Sequence, residues 1–416
     1  MKHSDSRVFL FSMILLSLIF VHCSNQKDLG HIQILDEIPE HIQEIENITI
    51  FPGDSEPEYS VELVPVQTFG AEGEPYLTNI INGVVDENGR LIILDVNFGG
   101  GTFPPDNRII VFQPDGSYLT QIGRSGQGPG EFGLTGIPDV KAGKVYVVDI
   151  SNSRLNIYSA GDYSFIRTVL FEQWNVREHE AVVDLELSRT PVFRHDGNLL
   201  ARFIDRVPDN ESRSEIKYLL VNTDGDVLNP EPLVFPAGFT VRPQSVPPGP
   251  SISLPFMGTT ITALSPDDAL YSALTREFLI KKHNADGIYQ SAIYYPVAGA
   301  PVDLNSYTGS TRHSLSEIRT AFDHIDEEIP ESTSPLIALK VDDEYRIWAG
   351  VLANPNLENL EWWILDRSGK LLAKLEYPRS QRIIDIKNGH LYNKEINKYT
   401  DEEFVVKYRI ELTKKK

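Results

Sequence analysis

The chain has 416 residues, 41% hydrophobic and 23% charged, which is enough for one large β domain or two smaller ones. Its formal charge of −21 would repel nucleic-acid phosphates and anionic lipid headgroups, so both are poor partners, and it would also keep the protein soluble. The 29 glycines and 27 prolines lie between short apolar runs, a distribution that favours many strands joined by turns.

The chain begins with a predicted export signal, residues 1–22. A basic start leads into the apolar run Val8–Val21. This run is shorter than the roughly 20 residues of a membrane span, but it suits the core of a signal peptide. Residues 23–56, which follow, are acidic and polar with isoleucine-rich stretches. They predict a tether that includes a short docked segment.

Cys23, the only cysteine, ends the apolar run and resembles the lipidated cysteine of a bacterial lipoprotein signal. Two positions depart from that pattern, because His22 replaces a small residue and Phe20 replaces leucine. An ordinary cleaved signal or an uncleaved anchor is the alternative. Lipidation of Cys23 would leave the mature domain without a thiol, excluding disulfides, thiolate metal sites and a cysteine nucleophile. The predicted location is the cell envelope, with lipid anchoring to a membrane facing the periplasm or the exterior; the alternative is a secreted or periplasmic protein.

A strand–tight turn–strand unit recurs six times downstream. Glycine in four of these turns suits the positive φ of a hairpin. The turns lie at Asn88–Arg90, Ala142–Lys144, Asp196–Asn198, Asp267–Ala269, Asp343–Tyr345 and Asn388–His390. In five units a second hairpin follows, which gives four antiparallel strands. Its turns lie at Asp115–Gly116, Ala160–Gly161, Asp224–Gly225, Asp286–Gly287 and Ser368–Gly369.

The sixth unit ends after its third strand, Phe404–Leu412, and Tyr59–Phe69 is the candidate for its missing fourth strand. This arrangement predicts an all-β fold, a six-bladed β-propeller over residues 57–413 whose last blade is closed by the N-terminal strand. An open pair of β-sandwich sheets or two separate β domains is the alternative.

The second unit carries the most specific motif. Its residues are Gly126-x-Gly128-Pro129-Gly130-Glu131-Phe132, then Val145–Asp149, Asn152, Arg154-Leu155 and Tyr158. This motif resembles an NHL-type propeller repeat, and the whole chain is similar to bacterial six-bladed β-propeller lipoproteins with NHL-like blades. The resemblance implies that Asp149, Asn152 and Arg154 brace neighbouring strands.

The first–second and third–fourth turns of each unit are short and lie on one side, which we name the tight-turn face. The remaining connections lie on the opposite side, the long-loop face, where binding groups usually reside. The longest of them, an insertion at about residues 298–335 between blades four and five, contains a predicted helix over Leu315–Ile329, on which apolar residues recur every three or four positions. This helix would serve as a lid or as a partner-binding or gating element.

The favoured function is a binding or scaffold module of the cell envelope, a monomer without a cofactor. Its partner would be an envelope protein, a peptide or a glycan, and only the lipid anchor would touch the membrane. A purely structural envelope component is a further possibility. The candidate contacts on the long-loop face are Arg124, Trp174, His179, Arg202 and Arg242.

The alternative is a hydrolase or lyase that depends on a divalent metal. Six-bladed relatives in the gluconolactonase and amidating-lyase groups hold such a metal in the central channel. Asn79, Asn82, Asp139 and Asp385 are the matching candidates here, and their oxygen ligands would suit calcium. The ligand motifs of those groups are missing, as are G-x-S-x-G, H-E-x-x-H and P-loop motifs. The sequence therefore favours binding over catalysis.

Overall fold

A computed structural model describes residues 33–71, 73, 75–97, 106–204, 214–241, 252–254, 256–302, 319, 322, 328–352 and 359–416. The predicted export signal, Cys23 and Arg242 lie outside these residues. Within them, no helix has the length and apolar character needed to cross a membrane. The described residues form an all-β, six-bladed propeller, as the sequence predicts.

Four elements precede the first blade in the chain. They are strand β1 (Gln33–Ile34), helix α1 (Glu40–Gln43) and strands β2 (Ile48–Ile50) and β3 (Tyr59–Phe69). The first three belong to a stretch that we name the docked segment, residues 33–51, because it packs on the outer side of blade four. The fourth, β3, crosses to blade six.

The first three blades follow in chain order. Blade one consists of β4 (Ile80–Val85), β5 (Leu91–Asn97), β6 (Asp106–Phe112) and β7 (Tyr118–Ile122). The connection to blade two holds β8 (Arg124–Ser125) and β9 (Glu131–Phe132). Blade two consists of β10 (Asp139–Lys141), β11 (Lys144–Asp149), β12 (Arg154–Ser159) and β13 (Phe165–Leu170), followed by 3-10 helices at Phe171–Gln173 and Asn175–Glu178. Blade three consists of β14 (Glu186–Leu187), β15 (Val192–Phe193), β16 (Leu199–Ile204), β17 (Glu215–Val221) and β18 (Val227–Pro236).

The last three blades complete the ring. A small sheet of β19 (Thr240–Val241) and β20 (Ile252–Ser253) precedes blade four, which consists of β21 (Thr260–Leu264), β22 (Leu270–Leu274), β23 (Leu279–His283) and β24 (Tyr289–Tyr294). Strand β25 (Val297–Ala298) leads towards blade five, β26 (Leu336–Val341), β27 (Ile347–Val351), β28 (Asn359–Leu365) and β29 (Leu371–Pro378). Blade six contains β30 (Arg382–Lys387), β31 (His390–Ile396) and β32 (Glu403–Lys414), with β3 as its outer strand.

The ring closes as the sequence predicts. Strand β3 pairs antiparallel with β32, from Tyr59 opposite Lys414 to Phe69 opposite Val405. Polar side chains of blade six also reach the inner strand of blade one. Glu403 accepts a hydrogen bond from the Ile80 backbone N–H at 2.5 Å. Blades six and one are therefore joined by this side chain as well as by the chain that runs from β3 to β4.

The hydrophobic core lies between the blades. Strand side chains alternate in direction, so each blade packs one set of β-branched and aromatic residues against each neighbour. Between blades two and three, Tyr146 stacks on Phe193 with ring centroids 4.5 Å apart. Between blades four and five, Phe278 packs on Trp363, which is 1% exposed.

Two predicted elements differ in detail from the structure. The first strand of blade three is divided into β14 and β15, both paired with β16, because Pro191 has no backbone N–H to continue the ladder. In the predicted helix over 315–329, the described residues Arg319 and Phe322 are helical, and Ile329 lies in irregular structure. The other positions of that helix lie outside the described residues.

Candidate functional site

A cleft of about 890 Å³ opens on the long-loop face beside blade four. That volume is in the range of sites that bind small molecules or short chain segments. Three parts of the chain form its walls: the docked segment, the connection between β22 and β23, and the chain between blades four and five. The lining residues are Leu35, Pro39, His41, Leu274, Arg276, Glu277, Tyr294, Val297, Ala298, Glu328, Ile329, Pro330, Glu331 and Ser332.

The docked segment supplies one wall, and it is held by both its backbone and its isoleucines. Strand β2 pairs parallel with β24 and adds a fifth strand to blade four, while β1 pairs antiparallel with β25. Ile42 of α1 is 0% exposed and packs against Leu279, Ala292 and Tyr294. Burial of such a side chain stabilises the attachment by roughly 1.5–3 kcal/mol. The wall therefore has a hydrophobic anchor of its own.

A polar contact joins this wall to the blade. His41 Nε2 lies 2.6 Å from Glu277 Oε1, in the connection between β22 and β23. The hydroxyl of Tyr289 on β24 donates to the Glu46 carbonyl at 2.6 Å. These contacts fasten α1 and the turn that follows it to blade four, so this wall of the cleft is fixed in place.

The base of the cleft is apolar. Tyr294 and Val297 are 1% and 3% exposed, and Pro330 is buried. Burial, with a smaller effect of Glu277, raises the pKa of the Tyr294 phenol to about 12. This phenol therefore stays neutral at physiological pH.

The rim of the cleft is charged. Three carboxylates (Glu277, Glu328 and Glu331) and one guanidinium (Arg276) line it. Arg276, Glu328 and Glu331 are all exposed. Within the described part of the chain, none of these three forms an ion pair. The arrangement combines an apolar base with an acidic rim, which suits a ligand that has apolar and cationic groups side by side.

Trp174 was predicted as an exposed binding contact, and the structure corrects this. It is 2% exposed and packs on Phe171 at a ring-centroid distance of 4.7 Å. The ring also lies against Gly225 in the outer turn of blade three, where an added Cβ would come within 2.2 Å of it. Gly225 also has φ +86°, which favours glycine. The indole thus fills the junction between blades two and three.

Arg124, in contrast, is exposed on the long-loop face. Its side chain is 77% exposed and its Nε donates to Glu131 Oε1 at 2.7 Å. Glu131 also accepts from the Gly128 backbone N–H, and this hydrogen bond, followed by Arg124, lowers the pKa of the Glu131 carboxyl. Arg124 therefore contributes to the folding of its own glycine-rich loop while remaining accessible.

The other two described candidates are half-buried and already have partners. His179 Nδ1 accepts from the Ala181 backbone N–H at 3.3 Å. Arg202 Nη1 donates to Ser188 Oγ at 3.1 Å. Neither of them, nor Arg124 or Trp174, lines the cleft beside blade four.

The polar residues of the blade-two motif brace the structure around them. Asp149 is 0% exposed and accepts from the Asn152 amide at 2.7 Å and from Arg154 Nε at 3.0 Å. Arg154 also donates to the carbonyls of Gln127 and Glu131 in the glycine-rich loop. These residues therefore fasten the connection between blades one and two to the second blade, as the resemblance implies.

The four candidate metal ligands lie on or beside the inner strands. Asp385 accepts a hydrogen bond from the Val85 backbone N–H at 2.8 Å. Asp139 and Asn82 each accept one from the next residue's N–H, at 2.7 and 3.0 Å. Asn79 precedes β4, and its backbone N–H and C=O are both hydrogen-bonded. In the described ranges, no group of three or more His, Cys, Asp or Glu side chains is placed to hold a metal ion.

None of the contact residues predicted from the sequence lines the cleft, although Ala298 and residues 328–332 of its lining belong to the insertion that was predicted to act as a lid or partner-binding element. One signal was available, because Ile38, Ile42 and Ile45 recur at the spacing of one helical face. All three belong to the hydrophobic cluster against blade four. The rest of the cleft joins positions nearly 300 residues apart in the chain, and no local pattern connects them.

Comparison with known proteins supports the fold. Residues 59–239, less than half of the chain, match the DUF5128 family, which is described as a six-bladed β-propeller. No curated protein sequence matches the chain.

Several solved structures are similar to this one. A Bacteroides fragilis protein whose name proposes that it is exported has 14% identity and a TM-score of 0.51, covering 88% of this chain and 99% of its own. A DUF4221-family member from Bacteroides vulgatus has 14% identity and a TM-score of 0.48, covering 86% and 100%. Regucalcin from Agrobacterium tumefaciens, a calcium-binding protein, has 10% identity and a TM-score of 0.37, covering 87% and 96%. At these identities the similarity concerns the fold alone.

Proposed function

We propose that this six-bladed propeller is a binding protein of the bacterial cell envelope that presents its long-loop face to a protein, peptide or glycan. The observation that carries the proposal is the cleft beside blade four, which lies on that face and has ligand size, an apolar base and a charged rim. A rigid scaffold with a preformed concave site is the usual arrangement of a binding protein.

The envelope location is part of the proposal. The basic start, the apolar run Val8–Val21 and Cys23 support it, and the exported-protein name of the Bacteroides fragilis neighbour agrees with it. Metabolic labelling with a radioactive fatty acid tests the anchor. We expect the label on the chain and its loss in Cys23→Ala; equal labelling of both would contradict a lipid anchor at this cysteine.

Site-specific photo-crosslinking in the host cell tests the binding face. Benzoylphenylalanine at Ile329, on the rim of the cleft, should crosslink to one or a few discrete envelope components. Ile288 is the matched control, since it is an exposed isoleucine on the tight-turn face of the same blade. Crosslinks from Ile288 alone, or from both positions to the same products, would contradict the assignment of the face.

A further inference from the structure

The cleft beside blade four also indicates the chemistry of its ligand, an inference that rests on the proposed function. Its base is formed by Tyr294, Val297 and Pro330, which offer no charged group. Apolar side chains of a ligand would be removed from water there, which favours their binding. The base alone would accept any apolar group, so selectivity depends on the rim.

The rim is acidic, and its two outer carboxylates are exposed. Glu277 already contacts His41 at 2.6 Å, whereas Glu328 and Glu331 have no ion pair among the described residues. They lie on the segment that enters blade five and flank the buried Pro330. Cationic groups bound above the apolar base would lie within reach of both carboxylates.

We propose that this cleft binds a short peptide segment in which lysine or arginine alternates with apolar side chains. The apolar side chains occupy the base and the basic ones pair with Glu328 and Glu331. Arg276, in the connection between β22 and β23, contacts a carbonyl or carboxylate of the same peptide. A neutral glycan has no cationic group for the rim, and an acidic peptide is repelled by three carboxylates. Charge complementarity therefore favours the basic peptide.

The net charge of −21 attracts any cation weakly, so the test must separate the cleft from the general surface. The probe is a capped hexapeptide of alternating leucine and lysine with a neutral dye, and its binding to the full chain is measured by fluorescence anisotropy at physiological salt. Two further peptides replace lysine by glutamate or leucine by glycine. We expect the leucine–lysine peptide to bind roughly tenfold or more tightly than either control peptide. The glutamate peptide loses the ion pairs with the rim, and the glycine peptide loses the burial of apolar side chains at the base.

The protein variant is Glu328→Gln with Glu331→Gln, which removes two exposed charges without changing side-chain size. We expect a loss of affinity of up to about thirtyfold, because each of the two exposed ion pairs contributes up to about fivefold in affinity. The matched control is Glu62→Gln with Glu87→Gln, which makes the same change in net charge at exposed positions outside the cleft. Its affinity should stay within about twofold of the unchanged protein.

Equal binding of the leucine–lysine and leucine–glutamate peptides would overturn the proposal. So would an equal effect of the two double variants, since attraction would then come from the whole surface. If none of the peptides binds while crosslinks form from Ile329, the proposed ligand class is wrong but the assignment of the binding face is supported. If both fail, the proposed function fails with it.

Discussion

Two N-terminal segments each add a strand to the outer edge of a blade, and they differ in what the addition does. Strand β3 runs antiparallel to β32 over eleven residues and ends at Phe69, which is 0% exposed. Strand β2 runs parallel to β24 over three residues, and its Ile50 is 38% exposed. The first completes the closed ring, whereas the second lies on a blade that already has four strands.

This difference separates the fold from the site. Without β3, blade six would keep three strands and leave the edge of β32 open, so closure depends on it. Without the docked segment, blade four would keep its four strands, but the cleft would lose one of its three walls. Variation in the docked segment can therefore change the cleft without changing the propeller.

The largest expected effect is on the closing strand. Phe69→Ala removes a ring that packs between Phe112 and Tyr392, at centroid distances of 6.2 and 6.1 Å. We expect the free energy of unfolding to fall by about 3–5 kcal/mol, as for other buried phenylalanines. Urea denaturation followed by tryptophan fluorescence measures it. Ile50→Ala on β2 is the comparison and should cost less than about 1.5 kcal/mol; similar losses in both would remove the distinction between the segments.

The junction between blades six and one offers a second test. Glu403 accepts from the Ile80 N–H and pairs with Lys394 at 2.7 Å, both side chains being less than a fifth exposed. Glu403→Gln should lower the free energy of unfolding by about 1–3 kcal/mol, because a charge-assisted hydrogen bond is lost and Lys394 remains. The control, Glu411→Gln, alters an exposed pair with Arg409 on the same strand and should cost less than about 1 kcal/mol. Equal costs would show that the junction is held by β3 alone.

The edge of blade four should respond to acid through His283. Its ring packs edge-to-face with Phe235 and Tyr289, and burial lowers the pKa of the imidazole below its ordinary value of 6.5. The unfolded state then binds more protons than the folded state, so the stabilisation is present above pH 6.5 and is lost as pH falls through 6.5.

The measurement is the free energy of unfolding at pH 5, 6 and 7 in urea. His283 should contribute a slope of up to about 1.4 kcal/mol per pH unit, the limit for one proton. His283→Phe keeps an aromatic ring at this position and should show a shallower pH dependence. Parallel curves for the two proteins would mean that His283 does not titrate on unfolding in this range.

The smallest effect on global stability is expected for the docked segment. Ile42→Ala should weaken its attachment while the propeller stays folded, so the unfolding midpoint of the ring should barely change. Hydrogen exchange should become roughly tenfold faster or more at Phe51, whose N–H donates to the Tyr294 carbonyl, because the segment opens locally. A global loss as large as that of Phe69→Ala would make the segment an integral part of the fold.

The order of strands and turns could be predicted from the sequence because the residues that form a turn are neighbours along the chain. The outer turns of blades three, four and five place glycine at φ +86°, +84° and +94°, and a side-chain oxygen of Asn222, Asn284 or Asp366 accepts from backbone N–H groups of the same turn. Such residues mark a turn whatever surrounds it. The count of strands then required an N-terminal strand to close the ring, and Tyr59–Phe69 fills that place.

The exposure of the candidate binding residues was harder to predict, because burial depends on residues that are distant in the chain. Trp174 stands in a long connection between blades, a position typical of exposed aromatic residues. Its burial depends on Gly225, which lies 51 positions later in the chain and whose missing side chain makes room for the indole. Arg124 is exposed as predicted, yet its carboxylate partner is seven residues away in its own loop.

The sequence by itself determined the six-unit repeat, the closing strand and the division into a tight-turn and a long-loop face, since strand alternation and turn residues depend on neighbours along the chain. The tertiary structure alone decided where the cleft lies. Its walls come from His41, Glu277 and Glu331, which meet only after the ring has closed and the docked segment has packed on blade four. Contacts between such distant residues follow from packing, which no local pattern records.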